Sequence, residues 1–136
     1  MSLSNVFSIS GSAMSAQSMR LSLVASNIAN AESSTSSTGE PYKGRHAVFT
    51  AIPVTAAQPQ VAGVRVTAVV EDQTPPRLKY DPGNPLADQR GYVTLPNVNP
   101  VEEMADMIAA SRAYQNNVEI MNTAKTLQQK VLQLGQ

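Results

Sequence analysis

The chain has 136 residues, enough for one modest domain, and balances 10 basic against 10 acidic side chains. Charged residues make up 15% and aromatics 4%, cysteine is absent, and His46 is the single histidine. These counts exclude a disulfide framework, a thiol nucleophile, a thiolate zinc site and a multi-histidine metal centre, and the zero net charge without a Lys/Arg run argues against a nucleic-acid footprint.

The first segment, Met1-Ser2-Leu3-Ser4-Asn5, has neither a basic region nor an apolar block, so no cleaved secretory signal is expected. From there Phe7, Met14, Leu21 and Ile28 recur every seven residues, with Leu3, Val24 and Ala25 widening the same face. The spacing predicts a helix over 4–29 with a narrow apolar seam and small flanks. Arg20 is its lone charge up to Ala31. Serine is a mediocre helix former, so this helix is expected to order only when something packs against it. The Ser/Thr-rich stretch that follows, with its flanks spanning 32–46, reads as a flexible loop.

The nine prolines all lie between Pro41 and Pro100. Proline opposes helix interiors, so the middle region, 47–99, is expected to be extended and turn-punctuated. Strand character runs over 47–54 and 61–71, where Val64, Val66, Ala68 and Val70 alternate with Arg65 and Thr67. Ala56-Ala57-Gln58-Pro59-Gln60 can turn the chain back, which predicts an antiparallel pair. Two strands alone are barely stable, so the pair must cover a helix or another subunit. Gly91 to Pro96 can add a brief extended piece.

The last segment, 100–136, carries the clearest helix signature. Asn99 can cap it, Pro100 suits its first position, and Glu102 stands three after Asn99 as in a capping box. Its apolar stripe is read as Val101, Met104, Met107 or Ile108, Ser111, Tyr114, Val118, Met121, Ala124, Leu127 or Gln128, Val131 and Leu134. A continuous helix from Val101 to Leu134 would be about 51 Å long. A compact chain of this size is only about 37 Å across. Other chains are therefore expected to cover part of the stripe. The predicted fold class is α+β. Long N-terminal (1–31) and C-terminal helices pair as an elongated coiled-coil-like core, and the proline-rich β region lies between them. The competing reading is an ordinary α+β monomer whose helices pack on the sheet.

A search for chemistry finds little. His46 stands in a polar stretch before a strand, without a nearby nucleophile pattern. Glu102, Glu103 and Asp106 are read as helix-terminal charges rather than paired catalytic carboxylates. No catalytic residue, cofactor or metal site is assigned, and the chain is not read as an enzyme. Asn27, Asn30, Asn116 and Asn117 are candidates either for buried register-fixing amides or for solvent-facing and capping groups. The residues assigned to subunit packing are Phe7, Met14, Leu21, Val24, Ile28, Met104, Met107, Ile108, Tyr114, Val118, Met121, Leu127, Val131 and Leu134.

Two motifs carry a resemblance. Ala25-Ser26-Asn27-Ile28-Ala29-Asn30-Ala31 resembles the N-terminal signature of bacterial flagellar rod and hook proteins. The run from Gly91, Tyr92 and Val93 through Pro96, Asn97 and Val98 to Glu103 and Met104 is similar to that of the small proximal rod members of the family. Ser111, Arg112, Tyr114 and Asn117 continue the likeness, as do the stretches 80–88 and 130–136. The resemblance implies a structural subunit of the basal-body proximal rod that transmits torque. It also implies a location in the rod crossing the periplasm, and type III export without a cleaved signal peptide. Neighbouring rod proteins, further copies of the chain and the basal-body base or export apparatus are the implied partners, with no nucleic acid and no membrane span. The Ser/Thr-rich loop from Glu32 to Thr38 would then contact adjacent subunits or surrounding rings. A non-flagellar helical scaffold or protein-binding module is the alternative that the helices alone would also serve.

Overall fold

The computed structural model describes residues 3–34, 39–54 and 61–134. In chain order these form α1 (Leu3–Asn30), β1 (Arg45–Pro53), β2 (Ala62–Glu71), β3 (Arg77–Tyr80), β4 (Tyr92–Leu95) and α2 (Pro100–Leu134). The arrangement is α+β, as the sequence predicts. The expected turn at Ala56–Gln60 and the centre of the Ser/Thr-rich stretch, 35–38, lie outside the described residues.

Helix α1 is the central element, with α2 along one side and the β1–β2 hairpin along the other. The weak helix former thus finds its packing partners within its own chain. The two helices run antiparallel: Arg20 pairs with Asp106 at 3.0 Å, Gly11 lies beside Met121, and Leu3 and Val6 lie near Ala124 and Leu127. The only charge in the first 31 residues therefore ties one helix to the other. Both side chains are partly exposed, so the pair contributes at most about 1 kcal/mol.

Close approach of three elements demands small side chains. The buried residues of α1 are Ser10, Ala16, Val24 and Asn27. The larger seam residues Phe7, Met14, Leu21 and Ile28 are half-buried, and Ala25, expected to widen the seam, is exposed. On α2 the covered stripe is Glu103, Met107, Ala110, Tyr114, Asn117, Met121 and Ala124, at alternating spacings of four and three. Val101, Met104 and Ile108, which the periodicity placed on that stripe, stand on an exposed face instead. Periodicity does not distinguish two apolar stripes on one helix when each has the spacing of a packed face.

The cap of α2 forms as its residues suggest: Asn99 Oδ1 accepts from Val101 N–H at 3.1 Å, and Pro100 opens the helix. Glu103, by contrast, is not a solvent-facing terminal charge. It is 7% exposed, and its Oε2 has no hydrogen-bond partner among the described residues.

Strands β1 and β2 pair antiparallel from Arg45–Glu71 to Pro53–Ala62, with an irregularity at Val48/Phe49. The ribbon approaches α1 most closely where Gly63 faces Ser12: a Cβ on Gly63 would lie 2.7 Å from Ser12 Oγ. Strands β3 and β4 form a second antiparallel ribbon, with Tyr80 and Tyr92 edge-on at 5.3 Å. Gly91, at φ +80°, makes the turn into β4, where a Cβ would also meet Tyr80 at 2.9 Å.

Candidate assembly site and signature junction

Helix α2 spans 35 residues, about 52 Å, against 28 residues, about 42 Å, for α1. Because Leu3 lies abreast of Ala124 and Leu127, the last residues of α2 project about 10 Å beyond it. Every described residue of α2 after Ala124 is exposed. Leu127 is 50%, Val131 63% and Leu134 88% exposed, although all three are large and apolar. They continue toward a groove of about 580 Å³ lined by Leu3, Val6, Ile120, Ala124 and Leu127 with Asn116, Glu119 and Thr123. A second apolar surface, Val101, Met104 and Ile108, lies on α2 near its start.

The residues assigned to subunit packing thus divide. Val24 is buried, and Phe7, Met14, Leu21, Ile28, Met107, Tyr114, Val118 and Met121 are half-buried. Met104, Ile108, Leu127, Val131 and Leu134 are open. Sequence reasoning overlooked Ile120 and Leu132, which are also large, apolar and open. Each was readable as a residue off the chosen stripe that has no polar function.

A different logic governs the signature motifs. Asn27 is fully buried at the last turns of α1. Its Nδ2 donates to Arg45 C=O at 3.0 Å, and its Oδ1 accepts from Arg45 N–H and the Tyr42 hydroxyl, both at 2.9 Å. From the other end of the chain, Asn97 Oδ1 accepts from Gly44 N–H at 2.8 Å. Its Nδ2 donates to the carbonyls of Asp72 and Thr74, both at 3.0 Å, and approaches Thr74 Oγ1 at 3.2 Å. Val98, 2% exposed, packs beneath this crossing, within 3.4 Å of a Cβ placed on Gly44.

The other candidate amides act locally. Asn30 ends α1 and donates to Ser26 C=O, Asn117 donates to Ala113 C=O within α2, and Asn116 is exposed. Arg77 is a connector that the sequence did not reveal. It donates through Nε to Pro96 C=O at 3.1 Å and through Nη2 to Ala31 C=O at 3.2 Å. A guanidinium at the carbonyl end of α1 also complements the helix dipole.

The electrostatics are modest. Asp72, next to this junction, is held below its ordinary value of 3.8, first by the Thr74 backbone N–H and then by the Thr74 hydroxyl. His46 stands exposed on β1, and Arg45 reaches Glu71 at 3.4 Å. Among the described residues no three His, Asp or Glu side chains gather as metal ligands, and no helix is long and apolar enough to cross a membrane. The arrangement offers packing surfaces and a polar junction.

Comparison with known proteins agrees with both motifs. Residues 7–34 match the family described as flagella basal body rod protein. Residues 89–134 match the family described as flagellar basal body rod FlgEFG protein C-terminal. The chain is 53% identical to the flagellar basal-body rod protein FlgC of Yersinia enterocolitica, over the full length of both. It is 51% identical to that of Salmonella typhimurium, again over both full lengths. Identity to the FlgC of Borreliella burgdorferi is 36%, covering all of this chain and 99% of the relative. The chain belongs to the flagellar basal-body rod protein family, and its function is that of a structural rod subunit, not an enzyme.

Proposed function

We propose that the chain is an axial subunit of the proximal rod and that the open apolar faces of α2 are its contacts with neighbouring rod subunits. The observation that carries this reading is the α2 overhang: a helix end with Leu127, Val131, Leu132 and Leu134 all at least half exposed. A monomer gains nothing by holding these side chains in water, and burial of each would contribute about 1.5–3 kcal/mol. The overhang continues the α1-facing side of α2, so a neighbouring helix end can extend the coiled-coil-like pairing. The Val101, Met104 and Ile108 surface lies near the opposite end of α2, so the two patches can meet head to tail. Contacts between unlike faces propagate rather than close on two copies, which suits a torque-transmitting rod.

The same reading places the subunit in the rod across the periplasm, exported unfolded through the type III apparatus without signal cleavage. Its neighbours would be other rod proteins, further copies of itself and the basal-body base. The Ser/Thr-rich stretch from Glu32 to Thr38 would face adjacent subunits or surrounding rings. A non-flagellar scaffold is not favoured, because the likeness to rod proteins runs the whole length of the chain.

Val131→Asp and Leu134→Asp test the assignment in a strain lacking its own copy of the gene. Both residues are away from the intramolecular core, so the variant proteins should be produced, exported and unchanged in thermal stability. Swimming should be lost and the subunit missing from isolated basal bodies. Normal swimming with normal basal-body content would refute the interface. Met121 and Val118 are poorer probes, since they are half covered within the subunit itself.

A further inference from the structure

The asparagines of the two signatures, Asn27 and Asn97, grip consecutive residues of one short strap. Asp72 N–H donates to Gly44 C=O at 2.7 Å, and Arg45 stands opposite Glu71. In that antiparallel pattern Arg45 turns its own N–H and C=O away from β2. Those two groups would form the bare edge of the hairpin, and the Asn27 amide takes both, as a neighbouring strand would. One residue earlier, the Gly44 N–H is taken by Asn97. Asn97 also holds the chain leaving β2 through the Asp72 and Thr74 carbonyls.

We propose that Asn27 and Asn97 act as one latch that sets where the Arg45–Glu71 end of the β1–β2 hairpin sits on α1. Neither amide alone can do this. Asn27 joins the hairpin to α1 and Asn97 joins it to the segment leading into α2, so the strap is fixed only when both hold. Each asparagine is a positioning residue, and the exposed apolar patch it aims is Val48 and Val70, which share one face of the hairpin. Asn30, in the same N-terminal signature but with its side chain bonded to Ser26 C=O within α1, has no part in the latch. The inference uses the rod-subunit reading only for its consequence, that a misaimed hairpin would hinder incorporation.

The test is amide hydrogen exchange on the isotopically labelled full-length protein, with spin labels on the hairpin at Thr67 and on α2 at Asn122. In Asn27→Ala, protection of the Gly44 amide should fall roughly tenfold or more, although its own acceptor on Asn97 is untouched. Asn97→Ala should do the same to the Arg45 amide. In both variants the label-to-label distances should broaden, while mid-helix amides near Ala16 and Ala110 keep their protection. Asn30→Ala should leave all of these unchanged. Asn97→Asp is a complementary variant, since it keeps an acceptor for Gly44 but turns a carboxylate oxygen on the carbonyls of residues 72 and 74. It should still loosen Arg45. If each substitution releases only the amide it binds, or the distances stay sharp, the latch is overturned. That outcome appears in the isolated protein, whereas failure of the rod-subunit reading would appear only in basal bodies.

Discussion

Replacing Gly63 by alanine tests how tightly the hairpin is seated on α1. The added methyl would lie 2.7 Å from Ser12 Oγ and 3.4 Å from Ser12 Cβ. The hydroxyl could swing aside, but it holds two hydrogen bonds. It donates to Ile9 C=O at 2.8 Å and accepts from Val64 N–H at 3.1 Å. Giving up both, at about 0.5–1.5 kcal/mol each, amounts to about 1–3 kcal/mol. Alanine also restricts the unfolded chain, which offsets about 0.4–1 kcal/mol. A net loss of about 1–2 kcal/mol is expected. Ser12→Ala alone should cost about 1 kcal/mol by leaving Val64 N–H without its acceptor. In the double variant the clashing oxygen is gone, so the two losses should fall short of additivity by about 1 kcal/mol. Urea unfolding of the four proteins, followed by circular dichroism, reads the cycle as midpoint shifts at constant slope. An unshifted midpoint for Gly63→Ala, or strict additivity, would show that α1 and β2 are not in this contact.

Two further outcomes follow from the junction. Asp72 has a lowered folded-state pKa, so its contribution to stability is present above pH 3.8 and is lost as pH falls through the lowered value. A carbon-detected titration should place its midpoint below 3.8, and Thr74→Ala should move it partway back, since the backbone bond remains; no movement would refute the cause. Arg77→Ala should destabilise the protein by about 1–3 kcal/mol through its bonds to Ala31 and Pro96. Arg77→Lys should recover little of this, because one ammonium does not reproduce the fork. Full recovery by lysine in thermal unfolding would argue against the bidentate role.

Much of the secondary structure was legible because its signals are local. The seven-residue spacing of Phe7, Met14, Leu21 and Ile28 marks α1, the alternation of Val64, Val66 and Ala68 marks β2, and Asn99-Pro100 marks the start of α2. The faces of the helices were less legible. Val101, Met104 and Ile108 have the spacing of a core stripe yet lie open. Hydrophobic periodicity reports that a face is to be buried, not whether its cover belongs to the same chain. Ser10, Ala16 and Ala110 were passed over because close backbone approach selects for small size rather than for hydrophobicity. The roles of Asn27, Asn97 and Arg77 were not readable from local pattern, since their partners lie 15 to 53 residues away and are mostly backbone groups.

By itself the sequence determined the two end helices and the first two strands between them, the α+β class, the absence of cysteine chemistry and the family likeness. These rest on composition, on short-range periodicity and on residues adjacent in the chain. Tertiary structure alone decided that α1 is wedged between α2 and a hairpin, that α2 outruns it, and that two distant asparagines meet on Gly44 and Arg45. Low net charge and few aromatics do not specify such an arrangement. It depends on which side of each helix finds a neighbour in the same chain, and the side left over is what the rod can use.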